Sequence, residues 1–419
     1  MFKQIIPKIR KGNPRRIRGA SFLRRVRFLR RSLPLTLIIL SIEFFDELNY
    51  GVESAVLPAL RDDLGLSYAQ VGLLLGLPLV TSTLVEPALL LLGDTALRKR
   101  LVVGGGLAVS LSLLLVGVSS SFPAVLLAFI LGYPASGAFV TLSLATLMDA
   151  NPGREPHWMA RWTAAGSLGN VAGPLIVAGG FALALGWRWI FFVLAALVLA
   201  LTLLIWLRPF PSGTAHAKPE GTSSGERPAG AGSLRSLWNM LRNRRLLRWI
   251  ILLELSDLLL DIFAGYMPLY FTDVVGASPA QAGLLLTLLM LTGLASDLAL
   301  IPLLERVPGR TLVRASAALS IFIYAAWLAV PWPAAKIALL VLVSLSTLGW
   351  YPVLQGEAYA SAPGQSGAVS AVSSMAGILK GGLVWLIGFA ASQVGLPAAM
   401  WLLLLGPVSL ALFMPRSDK

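Results

Sequence analysis

The 419-residue chain contains no cysteine, which excludes disulfides, thiolate nucleophiles and thiolate metal sites. Histidine is nearly absent. His157 and His216 stand far apart, in or beside loops, so a histidine-rich metal site is excluded while an all-oxygen site is not. Charge is scarce too, at 13% of residues against about 25% in a soluble domain. No ATP-binding motif, nucleophile–base pair or metal-ligand set is visible. An enzyme is therefore the least favoured class, no cofactor is expected, and any work must be driven by a gradient. The first apolar run begins after about thirty residues and is too long for the core of a cleavable signal.

What the chain does have is apolar length. Hydrophobic residues make up 56% of it, and the mean hydropathy is +0.77. A membrane span needs roughly 20 apolar residues. Twelve such stretches are predicted, at 33–60, 68–93, 101–118, 122–149, 159–183, 188–207, 249–272, 279–304, 311–330, 334–360, 366–392 and 396–414. They leave little chain for a soluble catalytic domain. The organisation expected is a basic segment 1–32, a six-helix bundle 33–208, a linker 209–248 and a second six-helix bundle 249–415. The linker is rich in Gly, Pro, Ser and Thr up to 232, and Ser233–Arg245 is amphipathic, as if lying in the interface.

The net charge of +14 suggests nucleic acid until the charges are placed. Residues 1–31 carry twelve Lys or Arg and no acid, and thirty of the thirty-four bases fall on one side of the predicted spans. Arg61, Arg188 and Lys336 fall on the other side, and Lys380 lies inside a span. This is the positive-inside pattern, with both termini and the central loop cytoplasmic in a cell membrane. The basic N-terminus is read as lying on anionic lipid headgroups, and no nucleic-acid partner is expected.

The chain also matches itself at a shift of 211 residues: Glu43 falls on Glu254, Asp46 on Asp257, Glu86 on Asp297 and Asp94 on Glu305. Ser67–Leu75 falls on Ser278–Leu286 with seven identities in nine. A direct repeat relates the two halves by an axis along the membrane normal. A duplicated membrane body that keeps acids in both copies reads first as a transporter, and as a monomer.

Several stretches carry a resemblance. After the second span comes Gly93-Asp94-Thr-Ala-Leu-Arg98-Lys99-Arg100, with a worn copy at Glu305-Arg306-Val-Pro-Gly309-Arg310. An acid followed by bases within a tight turn can make charge-assisted bonds that clamp neighbouring helix ends. These residues resemble the motif between helices two and three of the major facilitator superfamily. The resemblance implies that fold: an all-α membrane protein of twelve transmembrane helices, in two six-helix bundles related by a parallel repeat. It also implies that Asp94, Arg98, Lys99, Arg100, Glu305, Arg306 and Arg310 form a conformational latch. Val56-Leu-Pro58 with Asp63-Leu-Gly65, Gly186-Trp-Arg-Trp-Ile-Phe-Phe192, and Gly169-Asn-Val-Ala-Gly173-Pro174 are similar to the drug/proton antiporter branch. The last departs from its pattern: the following Gly-Gly pair is displaced and Ala160 replaces a glycine. The branch's buried arginine in the fourth helix is also missing near Tyr133.

Setting aside Asp149 at the last position of its span, ten acids fall inside the predicted spans: Glu43, Asp46, Glu47, Glu53, Glu86, Glu254, Asp257, Asp261, Asp297 and Glu357. They are joined in mid-span by one base, Lys380. Each ionised group facing lipid would cost at least about 2.5–3.5 kcal/mol, so most must face a wet cavity, be paired or be protonated. Glu43, Asp46, Glu47 and Tyr50 share one face of the first helix, and Glu254, Asp257 and Asp261 share one of the seventh. The resemblance places helices one, four, seven and ten around a central cavity, so these acidic faces should confront each other. Clustered carboxylates can exchange protons, and a negative cavity favours a cationic substrate. Glu53 and Glu357, nearer the surfaces, are read as structural acceptors. Lys380 demands a carboxylate partner on helix seven, eight or ten, and Arg161 is read as an interfacial charge or a partner for Asp149. Trp350, Tyr351 and Gln355, with Tyr133, offer stacking and hydrogen bonds to an organic cation or anchoring at the interface.

The expected function is alternating-access transport of a small molecule, with proton-driven export of a cationic or amphipathic compound. The candidate substrate and proton residues are Glu43, Asp46, Glu47, Tyr50, Glu86, Glu254, Asp257, Asp261, Asp297, Tyr351, Gln355 and Lys380. Three alternatives stand beside it: a divalent-cation carrier on the same carboxylates, a carrier of an anionic or zwitterionic solute centred on Lys380, and a non-transporting scaffold.

Overall fold

The computed structural model describes residues 34–93, 95–151, 154–209, 242–304, 306–361 and 366–415, and no strand occurs among them. The predicted segments 1–32 and most of the linker, including the amphipathic stretch up to 241, lie outside the described residues. So do Asp94, Glu305 and the side chain of Asp297.

Every apolar run closes into a helix, because hydrocarbon offers backbone N–H and C=O groups no other partner. The first six spans are Leu35–Leu64, Tyr68–Gly93, Arg98–Val118, Phe122–Asp149, Glu155–Ala182 and Trp187–Trp206. The seventh is broken. It runs as an α-helix over Arg244–Ser256, a π-helical turn over Leu258–Ile262, an α-helix over Phe263–Tyr270 and a second π-helical turn over Phe271–Val275. The eighth and ninth are Pro279–Leu304 and Gly309–Ala329. The tenth divides into Pro333–Ser346 and Trp350–Ala360, and the eleventh into Ser366–Met375 and Gly377–Val394. The twelfth comprises Leu396–Ala399, a 3-10 turn at Met400–Leu404 and Leu405–Phe413. The seventh span starts at Arg244 rather than 249, because the Asn243 side chain caps it by accepting from the N–H groups of Arg245 and Leu246. The first span continues past residue 60 through Arg61, Asp62 and Asp63 until Gly65 ends it.

Ten of the helical stretches are apolar and long enough to cross a membrane by length and composition alone. The first and seventh spans, which carry the acidic faces, are not among them. Leu84, Leu127, Phe322 and Leu412 project from the bundle's outer surface, more than half exposed, as side chains solvated by lipid do.

The repeated nonapeptide has a structural meaning at each end of its turn. Gly65 and Gly276, 211 residues apart, take the left-handed conformation (φ +61° and +79°) that terminates spans one and seven. Ser67 and Gln70 then form a reciprocal cap, with the Ser67 N–H donating to Gln70 Oε1 at 2.9 Å and the Gln70 N–H to Ser67 Oγ at 3.3 Å. Ser278 and Gln281 repeat it at 2.9 and 3.2 Å. The shared glycines serve the contact between halves. A Cβ at Gly72 would lie 3.0 Å from the Trp385 carbonyl of span eleven, and one at Gly283 would lie 3.1 Å from the Pro174 carbonyl of span five. The two crossings are images of each other under the repeat.

Within the first half, spans one and five meet backbone to backbone. A Cβ at Gly173 would lie 2.9 Å from the Val52 nitrogen, and one at Gly169 would be 3.0 Å from the Leu48 nitrogen and overlap the Phe44 carbonyl. The glycines of the Gly169–Pro174 stretch therefore permit a close approach. Gly169→Val should cost about 1–3 kcal/mol through forced separation and lower the Tm of the purified protein. Gly104→Val, at a position with open space around it, should leave it unchanged. Equal Tm values for the two variants would refute the packing.

Candidate functional site

The charges at each end of the bundle are tied before any cavity is reached. At the end bearing the basic loops, the Arg98 side chain donates to the Gly93 carbonyl at 2.8 Å and to Asp149 of span four. At the corresponding place in the second half, between spans nine and ten, Arg310 donates through two nitrogens to both oxygens of Glu357 at 2.6 Å. Lys99 donates to the carbonyls of Trp206 and Arg208, while Arg100 and Arg306 are exposed. Asp149 thus pairs with Arg98 and not with Arg161, which lies over the Trp158 ring instead. Glu357 takes an arginine rather than a hydroxyl or amide partner. Arg98, Lys99 and Arg310 thus tie helix ends within each half.

At the opposite end, polar groups join the two halves. Arg61 of span one donates to Asp273 of span seven at 2.8 Å, and the Tyr68 hydroxyl of span two donates to the same carboxylate at 2.6 Å. The Arg61 guanidinium also lies over the Tyr68 ring. Beside it, Asp63 pairs with Arg188 at 2.5 Å, which joins two of the stretches quoted for the family resemblance. The Arg61–Tyr68–Asp273 cluster escaped sequence reading. Its one signal was that Asp62 falls on Asp273 under the 211-residue shift, and nothing in the sequence shows that the partner would come from the other half.

Between these ends, on the basic side of the Arg61–Asp273 closure, lies a cavity of about 610 Å³ between the halves. Asp46, Glu47, Tyr50 and Asn170 line it from the first half, and Asp257, Asp261, Tyr351 and Lys380 from the second. The acidic faces of spans one and seven therefore do confront each other. Lys380 finds its partners on span seven: its Nζ lies 2.8 Å from Asp257 and also contacts Asp261. Broken helices shape this level. Asp261 sits in the first π-helical turn, where the N–H groups of Asp261 and Ile262 both reach the Asp257 carbonyl. In span ten, Gly349 at φ +75° interrupts the helix, so Thr347, Leu348 and Gly349 face the cavity. Irregular backbone inside a membrane is tolerated where it borders such a wet space.

A smaller chamber of about 290 Å³ lies inside the first half, lined by Asp46, Asn49, Glu53, Ser82, Glu86, Tyr133 and Ser136 among others. Ser136 donates to Asp46 and Ser82 to Glu86. Glu53 accepts from Asn49 at 2.7 Å and from Tyr133 at 3.2 Å, the role expected of a structural acid. Asp46 and Tyr50 border both this chamber and the central cavity. Glu43 and Glu254 are buried near the central cavity without lining it, and Gln355 is half-buried away from it. Trp350 reaches its edge but is fully buried and donates its indole N–H to Ser316. Tyr133 belongs to the side chamber, so Tyr50 and Tyr351 are the predicted aromatics that line the central cavity.

Two repeated bundles enclosing a central polar cavity, closed at one end by contacts between the halves, define a membrane transporter. A family model, Major Facilitator Superfamily, matches residues 39–389. The chain belongs to that superfamily. Its fold is similar to a bacterial homologue of the human lysosomal transporter Spinster, in an inward-facing and unoccupied conformation. The TM-score is 0.72 at 16% identity, over 91% of this chain and 95% of the other. It is also similar to a mutant of the nucleoside transporter NupG, with TM-score 0.74 and 15% identity over 91% and 99% of the chains. A sequence comparison with curated proteins finds no match.

Asp273→Asn should weaken the closure at the Arg61 end. With Leu260→Cys as reporter on the cavity wall of this cysteine-free chain, a membrane-impermeant maleimide applied at that end should react several-fold faster in the Asp273→Asn background. An unchanged rate would show that the Asp273 bonds do not hold this end shut.

Proposed function

We propose that this transporter exports a cationic or amphipathic small molecule in exchange for protons, with its termini cytoplasmic in a cell membrane. The observation that carries the reading is the charge on the central cavity. Among the described residues, four carboxylates line it against one amine, and that amine is already held by two of them. A cavity left with unneutralised negative charge attracts cations, and its volume suits a small organic molecule. Tyr351, about half exposed there, offers a ring face to such a cation.

The other substrate classes fit less well. An anion would have to draw Lys380 away from both Asp257 and Asp261, with two carboxylates repelling it. Among the described residues, no three acidic or imidazole side chains converge as a divalent metal would need. Proton coupling is supported by the acids of the cavity and of the chamber behind it, which are joined through Asp46. Export is supported by the antiporter-like Gly169–Pro174 stretch, packed as a close span contact, and the basic end is taken as cytoplasmic on its charge.

In proteoliposomes, an imposed pH gradient should stimulate movement of organic cations several-fold. Replacing Asp46 and Asp257 together by Asn should reduce it by about tenfold or more. A wild-type protein that moves cations indifferently to the gradient would overturn the coupling. One that moves only anions would overturn the substrate class.

A further inference from the structure

Among the described residues Lys380 is the one base lining the central cavity, and it is not committed to a single acid. Asp257, 7% exposed, is its buried partner, while Asp261, with a side chain 47% exposed, is its partner open to the cavity. One turn before Asp257, on the straight α-helical part of span seven, stands Glu254. Residues three apart on a helix are neighbours on its surface, so the three carboxylates make a ladder of which Lys380 serves only two rungs. Glu254 is 7% exposed, and its Oε2 has no hydrogen-bond partner among the described residues. The lysine stem is flexible and its ammonium is a compact charge with three donors. It therefore has an unfilled seat beside the one it occupies.

We propose that Lys380 is a tethered stand-in for the substrate's cation. It neutralises Asp261 while the cavity is empty, and it yields that carboxylate to an incoming cationic group by swinging across Asp257 toward Glu254. The inference rests on the reading of the substrate as a cation. In the exchange Asp257 never loses the lysine, and Asp261 passes from one cation to another. An unpaired buried charge is the costly alternative. Filling the Glu254 seat gives that side chain the partner it lacks. The π-helical turn separating Asp261 from Asp257 lets these two rungs move relative to each other, since such turns are local irregularities in the helical ladder. Lys380 thus sets selectivity by competition, because a solute must outbid a tethered ammonium for Asp261.

The test is equilibrium binding of tetraphenylphosphonium to the full-length protein in nanodiscs. Lys380→Gln removes the competitor and should tighten binding at least about tenfold. Glu254→Gln removes the alternative seat and should weaken it by a similar factor. In the double variant the Glu254→Gln effect should vanish, a non-additivity that separate structural roles would not produce. Should Lys380→Gln not fold, Lys380→Gln with Asp257→Asn removes one charge of each sign, leaves Asp261 free and should show the same tightening. Loss of binding in these folded lysine variants, or an undiminished Glu254→Gln effect without the lysine, would overturn the proposal. A wild-type protein that binds benzoate and no tetraphenylphosphonium would instead overturn the cationic reading beneath it.

Discussion

A charge placed in hydrocarbon must find a partner, a wet surface or a proton, and the arrangement of this protein follows from that demand. The acids of spans one and seven would make those helices unfit to face lipid, so they turn inward and the halves meet around them. Where a base is within reach the acids take it: Asp257 and Asp261 share Lys380, Glu357 takes Arg310, and Asp149 takes Arg98. Where none is, hydroxyls and amides serve, as for Asp46, Glu53 and Glu86. At the central cavity the two halves differ: Asp46 takes a neutral donor, whereas Asp257 and Asp261 take a lysine.

Duplication supplies the frame in which this asymmetry works. Left-handed glycines, reciprocal serine–glutamine caps and glycine crossings recur at a spacing of 211 residues, so spans two and eight cross the opposite half in matching ways. On that symmetric frame the closure at the Arg61 end is itself asymmetric, joining a base of the first half to an acid of the second. The seventh span links the levels. Asp261 lies in its first π-helical turn and Asp273 in its second. The Phe263–Tyr270 segment between them is buried throughout and fixed to span eleven where the Tyr266 hydroxyl donates to the Val384 carbonyl, one turn beyond Lys380. A change at the cavity therefore has a packed route to the closed end.

Much of this was legible in the chain. Apolar runs longer than a bilayer is thick mark the spans, and the self-match marks the halves. The spacing of Asp46, Glu47 and Tyr50, and of Asp257 and Asp261, places each set on one helical face. These are local properties, fixed by residue type and by the period of the helix. The breaks were not legible in the same way. Gly349 looks like any other glycine of an apolar run, and nothing in the residues Leu258–Ile262 announces a π-helical turn. Both arise where the chain adapts to neighbours across a cavity.

By itself, then, the sequence determined a membrane-spanning body built twice, with acids turned to its interior and a lysine that would need one of them. Only the tertiary structure decided who meets whom. Lys380 chooses Asp257 and Asp261 from 119 residues or more away, and Arg61 reaches Asp273 across 212. Asp149 goes to Arg98 although Arg161 is nearer in the chain. Such pairings depend on how helices cross and which end of the molecule is closed. Helical periodicity fixes the face a residue occupies, and packing between distant segments fixes what stands opposite it.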